Sequence, residues 1–190
     1  MPRQRFAALQ DARGVEHAAE CTLGCVALEE VNALGKREFT ARLGGVFEHS
    51  PWIAERAWEK RPFGSLDDLH KKMMRTLEAS TEDEKLRLVR AHPELAGGEA
   101  LTASSSSEQG RLGFNTLTKE ERDEMQALNR RYREKFGFPC IVALRLHAER
   151  ASVLREMRRR LANDAPAELA SALEQIGHIT RGRLEKLLHG

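Results

Sequence analysis

Capped stretches with apolar residues at 3.6-residue spacing follow one another along almost the whole chain, and strand-forming runs are nearly absent. That pattern leaves one fold class open. Phe39, Leu43, Val46 and Phe47 share a helical face. Pro51 behind Ser50 is a favoured helix start, and the helix carries Trp52, Ile53, Ala54 and Trp58 before Pro62 stops it. Ser65 opens a third helix whose first turn holds Asp67 and Asp68, the right sign for a helix N-terminus, with Leu66, Leu69, Met73 and Leu77 on its apolar side. Thr81 and Glu84 form a capping box ahead of Leu86, Leu88 and Val89, and Pro93 ends that helix.

Residues 94–104, with two glycines and many small residues, read as a loop, and Ser105 with Glu108 forms a second capping box. A long helix is expected over Thr118–Phe136 with Met125, Leu128 and Tyr132 inward, closed by Gly137 and Pro139. Cys140–Leu146 (CIVALRL) is the one stretch that suits an extended path. Val153, Met157 and Leu161 mark the next helix, and Leu169, Leu173, Ile176 and Ile179 the last, which starts at Ala165. The expectation is an all-α, compact bundle of about eight helices in a single domain over 28–190. Residues 1–27, Ala- and charge-rich with loose apolar spacing, read as a partly helical or flexible N-terminal extension.

Composition narrows the function. At 190 residues the chain can bury a core without disulfides. Thirty-one Lys and Arg against 29 Asp and Glu leave a net charge of only +2, which disfavours a nucleic-acid-coating protein. Three cysteines, an odd number, fit a reducing compartment. No apolar stretch approaches the roughly 18 residues of a membrane span, and MPRQRFAALQDARG lacks the apolar core of a secretory signal. Cytoplasmic location and no membrane partner are the expectations.

His17, Cys21 and Cys25 would share a helical face, but a closed zinc site needs a fourth ligand, so small half-buried cysteines are the better reading. Arg130, Arg131 and Arg133, and the run Arg158-Arg159-Arg160, read as solvated helix surface because Glu134 and Glu156 interleave. A helical RNA-binding module is the rival that those arginines suggest. His92, held in a turn by Pro93, can face a cleft and exchange a proton near neutral pH, or simply complement a helix end. Ser105, Glu108 and Gln109 offer a hydroxyl, a carboxylate and an amide at a helix start, a cap or a ligand cradle. Phe136-Gly137-Phe138-Pro139-Cys140 forces extension after a helix, and the backbone there needs partners.

Taken in order, SPWIAERAWEKRPF (50–63), AHPELAG (91–97), SSSEQ (105–109), NRRYREKFGFPCIVALR (129–145) and HITRGRL (178–184) resemble the 2-oxo-4-hydroxy-4-carboxy-5-ureidoimidazoline (OHCU) decarboxylases. The resemblance covers roughly residues 28–188. It implies an all-α fold, a homodimer, and cofactor-independent release of CO2 to give (S)-allantoin, downstream of urate oxidase and hydroxyisourate hydrolase. By motif, His92 matches the catalytic histidine and Pro93 its neighbour, and Ser105, Glu108 and Gln109 match the polar SxxEQ residues. Cys140, Ile141, Val142, Ala143 and Leu144 match the segment that holds the ligand through its backbone, and Arg183 matches the substrate-binding arginine. Where the family usually reads FGFPF this chain has Cys140, a smaller wall. No metal is implied.

That chemistry suits these residue types, because the substrate's own imidazoline C=N can take the electron pair left by CO2. Orientation, charge placement and one stereospecific protonation remain for the protein. Glu108 beside His92 is expected to raise the imidazole's pKa and keep a proton available near pH 7. A free Arg183 fork is expected to grip a substrate oxygen. A same-fold enzyme for a related ureido or carboxy-imidazoline compound is the nearer alternative.

Overall fold

Most of the helix-start signals become hydrogen bonds in the computed structural model, which describes residues 27–98 and 100–189. Nine α-helices form among the described residues: α1 Leu28–Ala33, α2 Lys36–Leu43, α3 Pro51–Ala57, α4 Leu66–Glu78, α5 Glu82–Arg90, α6 Ala103–Arg111, α7 Lys119–Phe136, α8 Arg150–Arg160 and α9 Ala165–His189. Short 3₁₀ turns occupy Trp58–Lys60 and Leu144–Leu146. The Ser65 hydroxyl accepts the Asp68 N–H at the start of α4, and full capping boxes form at Thr81/Glu84 and Thr118/Glu121. Gly137 closes α7 in the left-handed region, φ 74°, where a side chain would be strained.

Four local expectations need correction. Ser50 makes no side-chain cap bond, so α3 starts on the preset φ of Pro51 alone. Helix α6 is capped by Thr102, whose hydroxyl accepts the Ser105 N–H, so Ser105 and Glu108 lie inside the helix rather than forming its box. The extended stretch is shorter than CIVALRL, since Leu144–Leu146 winds into a 3₁₀ turn. Arg160, expected on the surface, is 1% exposed: Glu168 offers it a buried carboxylate across the α8–α9 turn.

The core unites residues from every helix except α6 with the segment after α7. Helix α2 packs on α3, α3 on α4 and α4 on α9, while α9 also meets α5, α7 and the Leu144–Leu146 turn. Because α9 threads the bundle, it buries Glu168, Ala172, Ile176, Thr180, Arg183, Leu184 and Leu188, whereas Leu169, Leu173 and Ile179 are only half-buried. The charged residues at deep positions of that long helix, Glu168 and Arg183, therefore need internal partners. No described helix is long and apolar enough to cross a membrane.

Candidate active site

Helix α5 ends two residues before His92, and the His92 N–H still bonds to the Val89 carbonyl at 3.3 Å, so the imidazole is fixed by the turn. Its Nδ1 lies 2.9 Å from the Leu88 carbonyl. A carbonyl only accepts, so in the neutral ring Nδ1 carries the proton and Nε2 presents a lone pair. That Nε2 is buried and has no hydrogen-bond partner among the described residues. Burial pushes the imidazole down to about 4, outweighing the Leu88 carbonyl and the charge of Glu48, which favour the proton. At neutral pH His92 is thus a neutral base, the reverse of the proton-bearing group expected from the sequence.

Beside it is a pocket of about 370 Å³, lined by His92, Pro93, Leu95, Ser105, Glu108, Gln109, Cys140, Ile141, Val142, Leu144, Ile179 and Arg183. The structure therefore gathers there every residue singled out by the family motifs except Ala143. A wider pocket of about 790 Å³ adjoins it, with Glu108, Leu144 and Ile179 shared between the two.

Hydrogen-bond capacity decides which groups are left for a ligand. Arg183 uses all five of its N–H donors on the protein: Nε and Nη2 grip Glu108 at 3.0 Å each, Nη2 also reaches Ser105, and Nη1 reaches Glu48 and the Val46 carbonyl. Glu108 is accordingly paired with Arg183, and no hydrogen bond joins it to His92 among the described residues. The Ser105 hydroxyl donates to Glu48 at 3.0 Å and accepts from Thr102 and Arg183. Gln109 accepts the Ala96 N–H and donates to the Glu94 carbonyl, so its amide ties down the loop after His92. Cys140 is buried, and burial pushes its thiol up to about 12, which makes it an inert wall.

The segment after Pro139 is anchored from behind. Ile141 O accepts from Arg160 at 2.6 Å, Ala143 N–H donates to Gln175 at 2.9 Å, and Leu144 O accepts from Arg111. The N–H groups of Ile141 and Val142 and the carbonyl of Val142 make no hydrogen bond among the described residues. Buried backbone groups of that kind are rarely left without a partner. With Nε2 of His92 they are among the groups the site leaves free for a ligand.

The protein-family model described as OHCU decarboxylase matches residues 32–185. The chain belongs to the OHCU decarboxylase family. It is 36% identical over 157 residues to a 2-oxo-4-hydroxy-4-carboxy-5-ureidoimidazoline decarboxylase of Haloferax volcanii, covering 83% of this chain and 93% of that one. Its identity to the Mus musculus decarboxylase of the same name is 38% over 163 residues, covering 84% and 91%. A "Uric acid degradation bifunctional protein" of Bacillus sp. is also 38% identical over 84% of this chain, which spans 32% of that protein's length. Among solved structures, an (S)-allantoin synthase superposes with TM-score 0.66 at 29% identity, over 85% of this chain and 54% of that one.

Within this decarboxylase fold one polar residue of the site escapes the sequence motifs. Glu48, 2% exposed, joins Arg183 Nη1 at 2.8 Å and Ser105, and its Oε1 is buried with no hydrogen-bond partner. Burial opposes its charge, yet the guanidinium of Arg183 and the nearby hydroxyls of Thr102 and Ser105 hold its carboxyl below the ordinary value. Its local signal is slight: a carboxylate set between Phe47 and Ser50. The structure adds a positive φ of 46° at the next residue, His49, and one of 54° at Ala96, the two non-glycine residues with positive φ among those described. Both adjoin the site, where strained backbone tends to be kept. Among the described residues no cluster of three or more His, Cys, Asp or Glu could hold a metal ion, and His17, Cys21 and Cys25 lie outside them.

Proposed function

We propose that this chain is a carboxy-lyase that converts 2-oxo-4-hydroxy-4-carboxy-5-ureidoimidazoline to (S)-allantoin and CO2 in urate degradation, with no cofactor. The observation that carries the reading is the buried, unpartnered lone pair of His92 Nε2 facing a pocket built from the family's motifs.

The steps follow from the substrate's chemistry. When the bond to the carboxylate breaks, its electron pair moves into the adjacent C=N, whose nitrogen takes a proton, and an enol remains. The enol becomes allantoin when its hydroxyl loses a proton and the ureido-bearing carbon gains one, so these two cancel and the proton on the ring nitrogen is the single one drawn from solvent overall. His92 Nε2 is the acceptor for the hydroxyl proton. The free Ile141 and Val142 N–H groups and the Val142 carbonyl read the amide edge of the ring or ureido arm. Arg183 locks Glu108, Ser105 and Glu48 in one preorganised geometry at the pocket wall. Protonation from one side of this fixed cradle gives one enantiomer.

The same proposal includes cytoplasmic location, a homodimer, a domain spanning 28–190, and a place after urate oxidase and hydroxyisourate hydrolase. Support for the pathway comes from two Bacillus proteins called uric acid degradation bifunctional proteins, in each of which the matched part is about a third of the whole. The test is to generate the unstable substrate from urate with those two enzymes and follow its ultraviolet decay. The protein should accelerate the decay, and His92→Gln should lower kcat by at least about 100-fold. Near-normal turnover by His92→Gln removes the assigned base.

A further inference from the structure

Glu48 lies behind the pocket wall rather than in it. One of its oxygens, Oε2, is fixed by Ser105 and Arg183, residues that face the pocket from α6 and α9. The other, Oε1, has no hydrogen-bond partner among the described residues, the exposed His49 ring lying 4.0 Å away, and Nε2 of His92 has none there either. A buried carboxylate that is bonded to two residues of the pocket wall, and whose charge acts on a buried base in that wall, has a use when that base becomes charged.

The charged and titratable groups around His92 come from three elements. Glu48 and His49 stand in the turn before α3, Arg183 on α9, and Glu108 on α6 across the pocket. Arg183 and His49 disfavour a proton on the imidazole, and Glu48 favours it. The Glu108 carboxylate is held by Nε and Nη2 of Arg183. We propose that Glu48 is a positioning residue that acts through both of its neighbours. It orients Ser105 and Arg183 with Oε2, and it provides the counter-charge that stabilises the proton His92 takes up during turnover. An imidazolium formed in this water-poor place without a counter-charge would be strongly disfavoured, and His92 would be a weaker base.

The proposal rests on the decarboxylase reading for its kinetic part, so wild-type turnover is measured first. Glu48→Gln removes the charge while leaving an oxygen for Ser105 and Arg183. It should lower kcat by about 10- to 100-fold with KM changed less than about 3-fold. In the His92→Gln background the same substitution should cost less than about 2-fold, because its effect runs through the missing imidazole. An equal loss in both backgrounds, or none in the wild type, overturns the proposal. Independently of activity, the NMR titration midpoint of His92 should fall by about one pH unit in Glu48→Gln. It should stay near the wild-type value in Glu48→Asp, which keeps the charge. A midpoint unmoved in Glu48→Gln, or lowered by a full unit in Glu48→Asp, contradicts it. If the wild type leaves the ureidoimidazoline untouched, the decarboxylase reading fails, and the midpoints still decide whether Glu48 stabilises the His92 proton.

Discussion

His92 is useful as a base because burial holds it neutral while the Leu88 carbonyl dictates which nitrogen carries the proton. The same burial couples stability to pH. The native imidazole titrates at about 4 against 6.5 ordinarily, so between those values the unfolded chain binds a proton that the native state does not. The share of stability that this imidazole contributes is therefore constant above about pH 6.5 and is lost as pH drops towards 4, roughly 3 kcal/mol in all. Burial raises Glu168 to about 8, which acts in the opposite sense over the same range. The change in urea midpoint from pH 7 to pH 5 should therefore be compared between wild type and His92→Gln, and the variant should lose less stability by the His92 share. Arg183 yields a second prediction. Lys cannot reach Glu48, Ser105 and both oxygens of Glu108 from one head group. Arg183→Lys should fold and lower kcat/KM by about 10-fold or more; unchanged kinetics would mean that the five-donor geometry is idle. Motif matching finds His92, Glu108 and Arg183 but assigns the wrong pairs. Glu108 belongs with Arg183, 75 residues away, and Glu48 with Arg183 across 135. Such pairings are made by packing and leave no local trace.

Helix boundaries are more legible than the helices' buried polar contents. The starts at Ser65, Thr81 and Thr118 are set by neighbours within three residues, so sequence spacing shows them. At α6 four serines and a threonine compete, and Thr102 wins the cap, which turns Ser105 inward to Glu48. Arg160 reads as surface because its neighbours Arg158 and Arg159 are exposed and its partner Glu168 lies beyond a turn. That pair, with Tyr132 and Asn163 also donating to Glu168, ties α7, α8 and α9 to the Ile141 carbonyl. Its loss should act on the site as well as on the fold. Arg160→Met should cost about 3–5 kcal/mol by stranding a buried carboxylate. KM should rise several-fold as the Ile141 segment loosens, read from urea melts and initial rates. A destabilised variant with unchanged KM would confine Arg160 to the fold.

At the scale of the whole molecule, the all-α class follows from helical spacing and the near absence of strand signals, and α9 explains why one helix can serve core and site together. Its 25 residues run from the Glu168 network past Ile176 to Arg183, so the helix that packs against α4, α5 and α7 also delivers the charge at the pocket. Fold alone does not specify a reaction. What distinguishes a decarboxylase that controls its protonation step from a protein that merely shares the bundle is the handedness of the product. The decisive measurement is circular dichroism during enzymatic oxidation and hydrolysis of urate, with this protein added. A rapid signal of the (S)-allantoin sign, abolished by His92→Gln, is the predicted result. A slow, optically silent decay that the protein leaves unchanged would contradict the proposed activity.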